Sequence, residues 1–180
     1  MTDQISKIGF ANAQDADTLA QMSRDEIENG LGWRWRTKAI LAMIENPEAS
    51  VLCVRIPSPT QENTIIAGFA IMEFDLESAH LNLLAVDPIF RRRGIARSLL
   101  GWLEKSAKTA GILEITLEVR TMNTGAQKFY RQLGFSEHQY LRHYYVAPDG
   151  TKESAYRMKK RLHEKSFHTF RDITFLPNRD

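Results

Sequence analysis

Residues 81–100 carry three signals in immediate succession. An apolar, strand-like run from Leu81 to Val86 stops at Pro88. Three consecutive arginines, Arg91, Arg92 and Arg93, then precede Gly94. Beyond Gly94, Ile95, Leu99, Leu100, Leu103 and Ala107 recur at helical spacing, and Gly111 stands at the C′ position. A strand feeding an amphipathic helix through so short a turn needs a sheet on which to lay that helix, which commits the chain to a layered α/β fold. The turn is also laid out as an anion site. Backbone N–H groups at a helix start point outward and the helix dipole adds positive charge. Gly94 and Ala96 keep the backbone open to close approach, while Arg91, Arg92, Arg93 and Arg97 surround it with charge. The same residues also fit a solvated basic helix start. The turn is neither G-x-G-x-x-G nor a glycine-rich loop ending in Lys-Ser/Thr.

Around this centre the pattern reads as strands at residues 5–10, 51–55, 64–74 and 79–86, the second and third separated by a Pro/Ser/Asn-rich turn. A helix is predicted over residues 15–29, with Leu19, Met22 and Ile27 apolar and Gly30 as its stop. A second is capped by Thr37 and ends before Pro47. After the helix at residues 94–110 comes a strand at 112–119. Asn123 then caps a helix bearing Ala126, Phe129, Tyr130 and Leu133 and ending at Gly134. Residues 135–146 and 153–159 close the pattern as an antiparallel pair. The centre is strand–helix–strand, a crossover between parallel strands inside a mixed sheet. The segment from Arg157 onward is basic up to Arg171 and predicts a short docked helix with a frayed end.

A chain of 180 residues with 43% hydrophobic and 26% charged residues is sized for one domain. A formal net charge of +2 argues against wholesale nucleic-acid or membrane binding. No apolar run reaches membrane-span length, and Met1-Thr2-Asp3-Gln4 does not open a signal peptide. A single cysteine, Cys53, fits a reducing compartment and reads as an inert buried thiol. The expectation is a cytoplasmic protein. His80, His138, His143, His163 and His168 show no metal-ligand spacing, so no metal is expected.

In the second half, a strand-like stretch ending in Leu117-Glu118-Val119-Arg120 leads to Asn123, a helix, Tyr130, and then Leu133-Gly134-Phe135. Together with R-x-x-G-x-A at Arg91 to Ala96, this resembles the GNAT acetyltransferases. The wording Leu-Glu-Val-Arg…Asn…Tyr, with Arg142-His143-Tyr144-Tyr145 downstream, is most similar to the bacterial ribosomal-protein-alanine N-acetyltransferases. The resemblance is specific from about residue 79 to 158.

It implies a GNAT fold at residues 1–160: a mixed central sheet with a parallel strand–helix–strand core and flanking helices. Residues 161–180 form a basic C-terminal extension. It further implies acetyl-CoA as co-substrate, its pyrophosphate on Arg91, Arg92, Arg93, Gly94, Ile95, Ala96 and Arg97. Its pantetheine arm would lie on the backbone of Leu84, Ala85 and Val86, where the strand splays from its neighbour, and on Asn123.

Glu118 shares a strand face with Glu114, Thr116 and Arg120, opposite Ile115, Leu117 and Val119. A carboxylate on a central strand that should be buried on both faces is unusual. The resemblance makes Glu118 the general base, against a plain ion-pair role with Arg120 or a helix. It makes Tyr130 the acid that protonates the leaving thiolate, against an amphipathic core role. Tyr144 and Tyr145, facing opposite sides by alternation, and Trp33 and Trp35, interleaved with Arg34 and Arg36, are candidates to hold the acceptor.

The leading expectation is acetyl transfer to a protein or peptide N-terminal amine by a monomer or homodimer. The alternatives are a small-molecule amine acceptor and a non-catalytic acyl-CoA-binding regulatory module.

Overall fold

The computed structural model describes residues 7–58 and 64–162. Seven strands form one sheet: β1 (Lys7–Phe10), β2 (Ala49–Pro57), β3 (Thr64–Phe74), β4 (Ser78–Val86), β5 (Glu114–Arg120), β6 (Ser136–Val146) and β7 (Lys152–Arg161), in the order β1-β2-β3-β4-β5-β7-β6. Helices α1 (Ala16–Glu26) and α2 (Thr37–Glu45) precede β2. The β4–β5 crossover is α3 (Ile95–Thr109), and α4 (Thr124–Gln132) joins β5 to β6. Neighbouring strands are antiparallel except β4 and β5, which run parallel. The mixed sheet with a parallel strand–helix–strand centre is as the sequence predicts.

Two apolar layers sandwich the sheet. In one, Leu99, Leu100 and Leu103 of α3 pack on Leu52, Val54, Ala70, Met72, Ile115, Leu117 and Val119. In the other, Leu19 and Ala20 of α1 and Ile40 of α2 pack on Val51, Cys53, Phe69 and Ile71. The second layer takes nothing from β5, so the outer face of β5 is left for polar residues.

Two bulges decide which side chain enters which layer. Opposite β2, the register jumps from Gly68 to Ile66 and leaves Ala67 over. Opposite β3, it jumps from Leu83 to Leu81 and leaves Asn82 over. Ala79 and Leu81 therefore enter the α3 layer, while Leu83 and Ala85 enter the α1–α2 layer. A strict period of two would have kept all four together. A bulge also bends its strand and steepens the local twist. Parallel pairing of β4 with β5 ends at His80↔Thr116, the residue before Leu81 and the bulge, and the two strands part from there.

Several boundaries differ from the sequence reading. Helix α1 stops at Glu26, short of residue 29, because the Glu28 carboxylate turns inward instead of continuing the helix. Thr37 is the first residue of α2 rather than its cap; its hydroxyl donates to Asp17 Oδ1 at 2.6 Å and ties α2 to α1. Strand β5 runs to Arg120, and β7 to Arg161, one residue into the segment assigned to the extension. Residues 5–6 and most of the predicted 57–63 turn lie outside the described residues; of the segment from Arg157 onward in which a docked helix is expected, Arg157 to Arg161 are strand instead, paired with β5 and β6, and residues 163–180 lie outside the described residues. Cys53 is fully buried beside Gly9, and burial pushes its thiol up to about 11, as an inert thiol requires.

The start of α3 sits directly on β3 and β4 because residue 68 is glycine. A Cβ there would lie 2.9 Å from the Ala85 carbonyl oxygen, 3.0 Å from Ile95 and 3.2 Å from Val86. Gly68→Ala is expected to cost about 1–3 kcal/mol of overpacking. Urea denaturation checks this: a midpoint equal to the parent's would mean the backbone relaxes freely.

Candidate functional site

The parting of β4 and β5 opens a cavity of about 340 Å³, within the size range of small-molecule sites. One wall comes from Leu81 to Leu84 on β4 and another from Glu118 to Arg120 on β5. Asn123, Ala126 and Tyr130 of α4 close one side. The α1–α2 connector and Tyr144 and Tyr145 of β6 close the other. Past His80 no strand among the described residues pairs with β4 on its β5 side, so ladder groups of both strands face the opening. Buried Asn82 Oδ1, in the cavity wall, accepts no hydrogen bond among the described residues, while its amide donates to Glu73 at 2.6 Å.

Glu118 stands on the polar face of β5 with 8% of its side chain exposed. Arg157 Nε on β7 donates to Oε1 at 2.7 Å, and His80 Nε2 on β4 lies 3.0 Å from Oε2. Burial raises the carboxyl pKa, but the hydrogen bonds from His80 and Arg157, with their charges, outweigh it and hold Glu118 below the usual carboxylate range. The suggested Arg120 partnership does not form. Arg120 grips Glu153 in a bidentate pair at 2.7 and 2.5 Å and reaches the Asn29 carbonyl at 2.9 Å. Nor is β5 buried on both faces: it pairs with β4 over only three residues, and the α1–α2 layer stops short of it. His80 carried no signal in the sequence, because its partners lie 36 and 38 positions away on another strand.

Tyr130 lies on the cavity side of α4, with edge contacts to Phe129 and Phe135. Burial, then nearby Tyr145, push its phenol well above the ordinary tyrosine range, so it stays protonated at neutral pH. Asn123 caps α4, its Oδ1 accepting from Ala126 N at 3.0 Å, and also lines the cavity. Tyr144 and Tyr145 both reach the cavity, contrary to strict alternation, and their rings meet edge to face at 4.9 Å. The reason is a wide bulge between Leu141 and Tyr145, with His143 at φ 53 and its N–H on Ser154 Oγ. Burial is the main cause that raises both phenols, Tyr145 to about 12.

The arginine turn sits at the C-terminal end of β4. Gly94 is the N-cap of α3 at φ 81, has no side chain to satisfy the first-turn amides, and has open space where a Cβ would stand. Those amides are thus presented outward at the positive end of a helix of 15 residues. The three arginines differ in role. Arg91 donates to the Val86 carbonyl at 3.1 Å and pairs with Glu26, fastening the turn to α1. Arg93 lies over the Phe90 ring, and Arg92 is exposed at φ 64. Ile95 is buried in the core; Ala96 is half-buried and Arg97 exposed. Leu84 and Val86 pack toward α3, and Ala85 packs toward α1–α2.

The tryptophans of the connector also differ. Buried Glu28 accepts from the backbone N–H groups of Arg34 at 2.8 Å and Trp35 at 3.1 Å and folds the connector inward. Trp35 and Arg34 thereby line the cavity. Trp33 does not line it: it is held between the guanidinium groups of Arg24 and Arg36 and donates to the Trp35 carbonyl. Among the described residues no group of three or more His, Cys, Asp or Glu could hold a metal ion.

Residues 19–135 match the profile of the Acetyltransferase (GNAT) family. A ribosomal protein bS18-alanine N-acetyltransferase of Haemophilus ducreyi is 44% identical over 96 residues, 53% of this chain and 66% of that protein. The chain thus matches less than two thirds of that relative's length. The crystal structure of the ribosomal-protein-S18-alanine N-acetyltransferase from Escherichia coli superposes with a TM-score of 0.75 at 26% identity, covering 92% of this chain and 99% of that one. NAA60 of Arabidopsis thaliana, solved with a bisubstrate analogue, shares the fold at a TM-score of 0.78 and 17% identity, with 88% of this chain and 100% of that one covered.

Because the folded-state pKa of Glu118 is depressed, the stability it contributes is complete above the ordinary glutamate range and is lost as pH falls through the folded value. Urea unfolding between about pH 3 and 6 should therefore lose stability more steeply in the wild type than in Glu118→Gln. Equal slopes would mean the two donors add nothing to stability.

Proposed function

The chain belongs to the acetyltransferase (GNAT) family, and from that premise we propose that it transfers an acetyl group from acetyl-CoA to the N-terminal amine of a protein or peptide in the cytoplasm. One observation carries the reading: a carboxylate and a protonated phenol line one cavity, at a strand parting that leads to the open amides of α3.

The donor fits the groups present. The first-turn amides of α3, with Arg92 and Arg97, suit a pyrophosphate, while Arg91 serves by holding the turn. The unpaired edges of β4 and β5 and Asn123 suit an amide-bearing arm. Acetyl-CoA supplies a thioester carbonyl there as electrophile.

Transfer is direct. The acceptor nitrogen attacks the carbonyl carbon and the C–S bond breaks. Tyr130 Oη gives its proton to the departing sulfur, and Glu118 takes the proton the acceptor must lose, directly or through one water. The raised phenol pKa supports the acid role, since Tyr130 still holds its proton at neutral pH. The acceptor enters beside Trp35, Arg34, Tyr144 and Tyr145, an aromatic and cationic rim suited to a peptide backbone. The two bacterial ribosomal-protein acetyltransferases support a protein amine as acceptor.

Acetyl-CoA turnover against N-terminal peptides and small amines tests the reading, with peptides expected to be the better substrates. Tyr130→Phe and Glu118→Gln should each lower kcat by about 10²-fold or more. A wild type that binds CoA yet acetylates nothing in the panel would overturn the proposal.

The donor site has its own check. Gly94→Val places a branched side chain at φ 81 over the open amides and should raise the KM for acetyl-CoA at least about tenfold. Thermal melting separates that effect from unfolding, and unchanged CoA affinity in a folded variant would refute the pyrophosphate assignment.

A further inference from the structure

The charged side chains around the cavity are engaged within the protein, with one exception. Glu26 pairs with Arg91, and Arg120 with Glu153. Glu28 accepts from the Ser23 hydroxyl and from the backbone N–H groups of Arg34 and Trp35. Glu118 pairs with Arg157 and stands against His80. The Arg34 guanidinium lines the same cavity, is exposed to solvent, and has neither an ion-pair nor a hydrogen-bond partner among the described residues.

The backbone sets its position. Glu28 draws the N–H groups of residues 34 and 35 inward, while the arginines on either side in sequence are turned to Trp33. Arg24 pairs with Asp25 and, with Arg36, flanks the Trp33 ring. Beside Arg34 in the cavity wall stand Tyr144 and Tyr145. Burial is the first cause of their raised phenols, but both also sense Glu118, which raises them, and Arg34, which lowers them. The Glu118 carboxylate and the Arg34 guanidinium are therefore neighbours of one and the same pair of rings.

We propose that Arg34 selects the acceptor: the site takes a peptide whose second or third residue carries a carboxylate, and Arg34 pairs with that carboxylate. This inference rests on the reading of a peptide amine as acceptor and Glu118 as its base. With the amine at Glu118, the chain that follows passes the two tyrosines to reach Arg34. Two residues of extended chain span about 7 Å, enough to pass rings whose centroids lie 4.9 Å apart. That spacing puts the carboxylate on the second or third residue. A guanidinium offers two parallel N–H donors to both carboxylate oxygens, which gives the pair a fixed geometry. A Lys or Arg side chain at the same place meets an unpaired cation, and the carboxylates of Glu26, Glu28 and Glu118 are already engaged. Selection thus acts by repulsion as well as attraction. The anionic groups of acetyl-CoA are assigned to the other end of the parting, at the α3 amides with Arg92 and Arg97. Arg34 stays clear of the reacting atoms and acts on acceptor choice alone.

The test is kcat/KM of the full chain at saturating acetyl-CoA. Its substrates are N-terminal peptides identical but for Glu, Gln or Lys at the second or third residue, each with an amidated C-terminus. The wild type should prefer Glu over Gln by about fivefold or more, and Gln over Lys. The difference should fall on the peptide KM, because the pair forms before and during transfer alike. Arg34→Gln should abolish the preference, and Arg34→Glu should invert it. Both keep the backbone N–H that binds Glu28, and thermal melting checks the fold. On the wild type itself, salt at about 1 M, where the screening length is about 3 Å, should shrink the preference and answers the question if neither variant folds. Equal rates for the three peptides, a preference for Lys, a preference for Glu that survives in folded Arg34→Gln, or one indifferent to salt overturns the inference. Free alanine against alaninamide places the carboxylate: a free amino acid that outruns every peptide overturns the peptide reading beneath the inference. CoA binding with no peptide acetylated overturns that reading too, so the two failures are distinguishable.

Discussion

Strands β4 and β5 pair over three residues and then separate, and the site depends on that separation. The crossover through α3 requires them to start as parallel neighbours, while the extra residue at Asn82 bends β4 away. Main-chain groups that would otherwise complete a ladder are left facing a cavity. Opening a sheet at its centre is costly unless both edges are braced. On one side β3 braces β4; on the other β7 pairs with β5 along its whole length. Gly68 brings the start of α3 against the end of β4, which sets the open amides at one end of the parting.

Charge is distributed unevenly around the parting. At the α3 end, cationic groups and helix amides dominate, and Arg91 pairs with Glu26 to hold α1 against the turn. On the β5 side, the Glu118 carboxylate is braced from β4 and β7 together. A carboxylate in such a place must be matched, because an unpaired buried charge costs several kcal/mol. Arg157 supplies the match on one carboxylate oxygen, and His80 stands against the other. Tyr130 faces the same cavity from α4 under opposite electrostatics: no cation offsets its burial, so the phenol keeps its proton. Two ionisable groups are thus driven in opposite directions by their surroundings, the condition under which one serves as acid and the other as base.

The local signals in the chain were read well where they are local. The 64–74 strand, the helix from Gly94, the Asn123 cap and the glycine at residue 134 follow from periodicity and turn chemistry within a few residues. Glu118 and Tyr130 were legible as residues because they sit at fixed distances from those signals. Their partners were not. His80 and Arg157 approach Glu118 from strands 38 and 39 positions away, and no spacing rule spans that distance. The bulges at Ala67, at Asn82 and near His143 were equally silent, since a strand carrying an extra residue keeps its apolar composition and only its facing changes. For that reason alternation misplaced Tyr145 relative to Tyr144, and the pairing of Trp33 with Trp35 hid their different roles.

By itself the sequence determined the α/β class, the order of elements, the arginine–glycine turn before α3 and the types of group available for acid–base work. Each of these depends on interactions within one turn of helix or one run of strand. Tertiary structure alone decided that β4 leaves β5 beyond His80, that Arg91 binds α1, and that His80 and Arg157 close on Glu118. Those outcomes depend on register between strands distant in the chain, where one extra residue exchanges the two faces of a sheet and so selects the side chains that meet.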